Sequence, residues 1–258
     1  MTKSTPSNQP KESAVTQRTI DRRDLLGASA LLTAGAAMLG STGAAAQAAI
    51  ATGPAPANGP AFAPQPLPLP FDPKAIAGLS EKLLVSHHDN NYVGAVKRLA
   101  TIENQLAALD PATAPNFTLN GLKREELIAW NSMILHEVYF AGLGAPTRPG
   151  GALASAIEHS FGSEARWRSE FVGMGKALGG GSGWVVLNYS SRDRRLVNQW
   201  AADHTMTLAG ATPILVLDMY EHAYAIDYGA KAAAYVDAYM GSVNWTSADT
   251  RFAKASAP

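Results

Sequence analysis

Residues 213–224 read PILVLDMYEHAY. The stretch opens with an apolar run bounded by Pro213, the pattern of a buried strand. It then delivers Asp218 and His222, four residues apart. A carboxylate and an imidazole at the end of a buried strand are costly to desolvate unless something pairs with them. Two arrangements would answer that cost: an Asp–His hydrogen bond with His222 at the surface, or a metal ion as common partner. What the rest of the chain brings to the same place decides between them.

The chain has 258 residues, no net formal charge, six histidines and no cysteine. Zero net charge gives no electrostatic case for nucleic acid or for an anionic membrane surface. Without cysteine there are no disulfides, thiolate sites or Cys nucleophiles, and a metal site has only His, Asp and Glu as strong ligands.

Residues 1–20 are polar and aperiodic, and are expected to be a disordered leader. Arg22 and Arg23 then precede a short Ala-, Leu- and Gly-rich run and the small-residue stretch Ala44–Ala45–Ala46. A charged segment, a modest apolar segment and an A-x-A-like site make a twin-arginine signal peptide over residues 1–46. The apolar run is too short to span a bilayer comfortably, so no stable membrane anchor is expected. The protein is accordingly expected in the periplasm or outside the cell. Residues 47–66 are rich in Pro and Ala and read as a linker.

Beyond the linker, helical periodicity covers residues 79–99 and 119–143, with the breaker DPATAP at 110–115 between them. Two long helices with one connection make an antiparallel hairpin over residues 67–147. Residues 148–258 carry helices near 152–161, 163–178 and 230–240, and strands at 184–189, 196–201 and 214–217. The turn Ser191–Arg192–Asp193–Arg194 joins the first two strands. The fold class is α+β: a helical hairpin followed by an α/β half with a small three-stranded antiparallel sheet.

His87 and His88 fall on the first helix and His136 on the second, so His87 and His136 can meet across the seam. A single His within the apolar wall of Leu135, Val138, Tyr139 and Phe140 would ordinarily be a hydrogen-bonded core residue. His87, His136, Asp218 and His222 together make three imidazoles and one carboxylate, a set that suits iron or manganese. His159 lies at a helix end and reads as solvated.

With these residues placed, the chain resembles the iron/manganese superoxide dismutases. The likeness runs from LPLPFD (67–72) through His87–His88, His136, AIEHSFGS (156–163), GSGW (181–184) and DMYEHAY (218–224) to VNW (243–245). It implies dismutation of superoxide to oxygen and hydrogen peroxide, with one iron or manganese ion per chain, leaning to iron. It also implies His87 as axial ligand, His136, Asp218 and His222 as equatorial ligands, and Trp184 lining the pocket. His204 takes the place of the residue that hydrogen-bonds bound solvent. Glu221 would reach His222 of a second subunit in a homodimer. Three departures stand out. The family's His and Tyr, four and eight residues after the axial ligand, are Asn91 and Ala95, and its Trp before Glu–His is Tyr220. Tyr92 takes the gateway role if a short deletion shifts the register. The alternative is a metal-binding or structural member of the same fold with little turnover; metal-dependent hydrolysis lacks a placed general base.

Overall fold

The computed structural model describes residues 62–257 together with Met1; the expected signal peptide and most of the expected linker lie outside the described residues. The chain divides into two units, Met1–Ala51 and Thr52–Pro258, and every element below belongs to the second.

Ser80 caps helix α1 (Glu81–Ser86): its hydroxyl accepts the Leu83 N–H at 3.1 Å, and Glu81 in the first turn suits the positive end of the helix. A π-helical segment follows, His87–Tyr92, and then α2 (Val93–Ala108). The expectation of one continuous helix over 79–99 is thus corrected twice. The helical run continues to Ala108, and a wide turn interrupts it where His87 sits. A π turn accommodates an extra residue in an otherwise α-helical run and rotates everything beyond it.

Helix α3 (Asn116–Ala141) packs antiparallel on α2. Among its buried side chains, Ala129, Ser132, Met133, His136, Tyr139 and Phe140 recur at steps of three and four, and Leu135 and Val138 widen the buried surface toward its end. Two helices follow, α4 (Gly151–Phe161) and α5 (Glu164–Ala177). Gly162, with φ of 85°, ends the first, and the Ser163 hydroxyl caps the second through the Arg166 N–H.

Three antiparallel strands, β1 (Trp184–Ser190), β2 (Arg195–Ala201) and β3 (Ala211–Asp218), lie in the order β2-β1-β3. Central β1 is buried along its whole length, so its polar Asn188 and Ser190 are held by Gln199 and Asp193. Strand β3 runs through Pro213 instead of starting after it. It is an edge strand, and the register shifts at Leu187/Asn188 where Pro213 pairs, so the missing N–H is tolerated. Gly183 sets the start of β1: with φ of 135°, a Cβ there would stand 2.1 Å from the Ala201 carbonyl oxygen.

Helices α3 and α8 (Thr246–Ser256) pack on β3, α4 on β2, and α5 on β1. The core between these layers includes Trp167, Phe171, Leu187, Leu215 and Leu217. Short α6 (Ala225–Tyr228) and α7 (Ala232–Gly241) complete the second half. Sequence periodicity missed α8 after Trp245, a run whose interior faces are mostly small and polar. The VNW segment closes the unit onto the end of α3, where the Asn244 N–H donates to the Gly142 carbonyl at 2.8 Å.

Candidate metal centre

Four elements converge on one place. The π segment brings His87, α3 brings His136, the end of β3 brings Asp218, and the short 3-10 turn Glu221–Ala223 brings His222. One potential ligand atom from each lies within 4.8 Å of all the others. Asp218 Oδ2 is the hub: His87 Nε2 stands 3.1 Å from it, His222 Nε2 3.2 Å and His136 Nε2 3.5 Å. Ligand bonds of about 2.1 Å place neighbouring donor atoms roughly 3.0 to 3.6 Å apart for angles between square and trigonal, so this spacing fits one shared ion.

The supporting contacts sort donors from acceptors. The His136 Nδ1–H donates to the Ser132 carbonyl at 2.6 Å, so its Nε2 carries the free lone pair; that atom is buried without a hydrogen-bond partner. An imidazole nitrogen left so would be expensive unless it ligates something. Asp218 Oδ1 accepts the Tyr220 N–H at 2.8 Å, and the Tyr235 hydroxyl donates to the Asp218 carbonyl at 2.8 Å. One carboxylate oxygen is thereby anchored and the other is left to the imidazoles.

Burial would by itself push the Asp218 pKa up, but His222 and His87 outweigh it and hold the carboxyl well below the usual range. Burial lowers His87, and lowers His136 to about 3, so both stay neutral and able to ligate.

Trp184 starts β1 directly opposite Asp218 and is fully buried. Its Nε1–H donates to His204 Nδ1 at 3.0 Å, so neutral His204 keeps its proton on Nε2. Burial lowers the His204 pKa as well. Tyr220 lies parallel between His204 and His222, with ring centres 4.8 and 5.3 Å away.

A family description, iron/manganese superoxide dismutases, C-terminal domain, matches residues 149–251. A protein named superoxide dismutase [Fe] from Cupriavidus metallidurans (strain ATCC 43123 / DSM 2839 / NBRC 102507 / CH34) is 68% identical over 188 residues, 73% of this chain and 95% of that protein. The chain belongs to the iron/manganese superoxide dismutases. More distant relatives carry either metal in their names. Superoxide dismutase [Mn] 1 of Halobacterium salinarum is 34% identical over 73% of this chain and 94% of its own length. Superoxide dismutase [Fe] of Aquifex pyrophilus is 32% identical over 71% of this chain and 88% of its own length.

Against the family pattern, the structure brings together all four expected ligands with Trp184 and His204. Tyr92, expected in the gateway role, directs its hydroxyl to other partners. The Tyr92 ring is buried, 6.5 Å from the His136 ring, but its hydroxyl accepts the Leu67 N–H at 2.8 Å and donates to Glu137 at 3.1 Å. His88, four residues earlier, binds the Leu67 carbonyl at 2.9 Å. Tyr92 and His88 therefore clamp the N-terminal arm. The face at four-residue steps from His87 does not include Tyr92, which lies five residues on.

That face is occupied by Asn91 and Ala95, which line an open cleft of about 270 Å3 with Ser132 and His204. Sequence reasoning missed Ser132 and Tyr235, which orient His136 and Asp218. Ser132 was findable, because it lies one helical turn before His136. Nothing local marks Tyr235, which reaches Asp218 from a separate helix.

Proposed function

We infer that this protein is a superoxide dismutase, converting superoxide to oxygen and hydrogen peroxide at one iron or manganese ion held by His87, His136, Asp218 and His222. The convergence of three imidazole Nε2 atoms on the free oxygen of one anchored carboxylate carries the reading. Bound there, the ion supplies the one-electron exchange by which one superoxide is oxidised and the next reduced. The name of the 68%-identical relative, together with His204 near the cluster, favours iron.

The residues divide the remaining work. Asp218 contributes negative charge that favours the higher oxidation state, while Ser132, Tyr220 and Tyr235 hold the ligands in register. Trp184 fixes the His204 ring and leaves its Nε2–H as a donor to a water or superoxide in the cleft. Asn91 and Ala95 offer that cleft an amide and a methyl group in place of a phenol. The entrance is therefore wider and wetter than a Tyr-gated one, and activity falls off earlier as pH rises. Natively purified protein should carry stoichiometric iron or manganese and dismute superoxide. Full metal content without dismutation would overturn the reading.

Two further proposals concern the whole protein. Glu221 is exposed beside His222, whose side chain keeps 25% of its surface open. We assign this corner to a homodimer contact in which Glu221 reaches the partner's His222. Light scattering should find a dimer that Glu221→Ala weakens; an unchanged dimer with full metal would place the interface elsewhere. Arg22 and Arg23 before a weakly apolar run support twin-arginine export to the periplasm. Replacing both with Lys should retain the protein in the cytoplasm with its leader attached. Normal export of that variant would count against the route.

A further inference from the structure

His204 rides on the connection between β2 and β3. Residues 202–210 there form neither helix nor strand, and Met206 to Gly210 are exposed. So little packing leaves the loop to be placed by hydrogen bonds. Gln199 of β2 grips its far side: the side-chain amide donates to the Met206 carbonyl at 2.9 Å, and Oε1 accepts the Leu208 N–H at 3.1 Å. Asn188 of buried β1 donates to the same Oε1 at 2.7 Å, which ties that grip to the sheet. His204 itself is reached from α3, where Asn131 Nδ2 donates to the His204 carbonyl at 2.5 Å. A carbonyl oxygen can only accept, so the orientation of the Asn131 amide is forced.

Asn131 stands next to Ser132, whose carbonyl accepts the His136 Nδ1–H at 2.6 Å. One turn of α3 thus holds the candidate ligand His136 and, across the gap, the backbone of His204. The two rings lie 6.4 Å apart between centres. Trp184 and Tyr220 orient the His204 ring, but that ring is carried by the loop and moves with it. A donor displaced by about 1 Å no longer makes its hydrogen bond.

We propose that Asn131 is a positioning residue for dismutation: it locks His204 in register with His136, so that the His204 Nε2–H meets the water or superoxide beside the centre. The inference rests on the dismutase reading. The Asn131 amide donates to the loop and not to a ligand, so its effect passes through His204. Removing it costs what His204 contributes and nothing besides, a relation that a double-mutant cycle isolates. Asn131 also lines a cavity of about 170 Å3 behind the loop, with Ile134, Leu135, Gln199 and Leu208, so a slightly longer side chain has room there.

Iron-loaded Asn131→Leu, Asn131→Asp, Asn131→Gln, His204→Ala and the double variant Asn131→Leu/His204→Ala are compared with the parent. Metal content, kcat by pulse radiolysis and azide affinity by spectrophotometric titration of the ferric protein are measured for each. The Leu and Asp variants keep the size of the side chain and remove the donor. Each should bind iron as the parent does and lose about three- to tenfold in kcat and in azide affinity. Asn131→Gln keeps the donor and should retain most of the parent values. In the His204→Ala background, Asn131→Leu should change neither quantity further. Additive losses in the double variant, parent-like Leu and Asp variants, loss of iron from both of them, or a Gln variant no better than Leu would overturn the proposal. A parent that binds iron but does not dismute superoxide would sink the functional reading instead. The azide cycle needs no turnover and would still decide whether Asn131 acts through His204.

Discussion

At the scale of single residues, the candidate centre depends on one buried carboxylate shared by three imidazoles. Asp218 has its Oδ1 fixed by the Tyr220 N–H and its Oδ2 shared among His87, His136 and His222. Asp218→Ala should therefore abolish tight metal binding, and His136→Ala should do the same by removing an imidazole whose Nε2 is buried with no hydrogen-bond partner. Metal analysis of either purified variant checks this, and stoichiometric iron or manganese in either would refute the ligand set. Tyr92 leads to a contrasting outcome. Tyr92→Phe strips a partner from the Leu67 N–H and from Glu137, whose carboxyl pKa burial already raises. Leaving such groups unsatisfied costs about 1 to 3 kcal/mol. The variant should lose that much stability in chemical denaturation while keeping its metal and turnover. A loss of turnover at full stability and metal content would return Tyr92 to the gateway.

At the scale of elements, legibility in the sequence followed burial. Strand β1 is buried throughout and β3 over its second half, so their apolar runs are visible at any register. The four residues that converge were legible because each sits beside an element whose pattern is strong. The π segment was not, since its six residues HHDNNY are compatible with either helical geometry and only the demand that His87 reach Asp218 distinguishes them. Helix α8 was hidden for the opposite reason: Ala248 and Phe252 are its only buried residues, too few to give a period. The α2–α3 seam carries a further consequence. Glu103 of α2 lies partly buried beside Glu126 of α3, and one of its oxygens has no hydrogen-bond partner. Burial, then the neighbouring Glu126, raises its pKa. A carboxyl raised on folding binds its proton more tightly in the native state, so stability falls as pH climbs above the unfolded value of about 4.3. Glu103→Gln should raise the melting temperature at pH 7 to 8 and leave it unchanged near pH 4. A gain that persisted at pH 4 would mean that the substitution acts through packing.

At the scale of the whole molecule, the candidate centre is also a staple. Its ligands come from the π segment in the helical hairpin, from α3, from the end of β3 and from the turn after it. An ion there connects the two halves of the fold, and the unfolded chain offers no comparable site, because its four ligands are spread over residues 87 to 222. Binding to the native state alone adds about 2.7 kcal/mol at a hundredfold excess over Kd and about 4.1 kcal/mol at a thousandfold excess. In a domain of this size each kcal/mol moves the midpoint by roughly 2 to 4 °C. Removing the metal with a chelator should therefore lower Tm by roughly 5 to 15 °C, and adding back ferrous or manganous ion should restore it, whichever ion supports turnover. Calorimetry on apo and reloaded protein checks this, with Asp218→Ala as the control that should show no shift on adding metal. The control is needed because stray binding to surface carboxylates also raises Tm, but does so equally in the parent and the variant. A parent whose midpoint ignores the metal, while its metal content follows the loading, would show that the ion sits on one half of the fold and does not bridge the four elements.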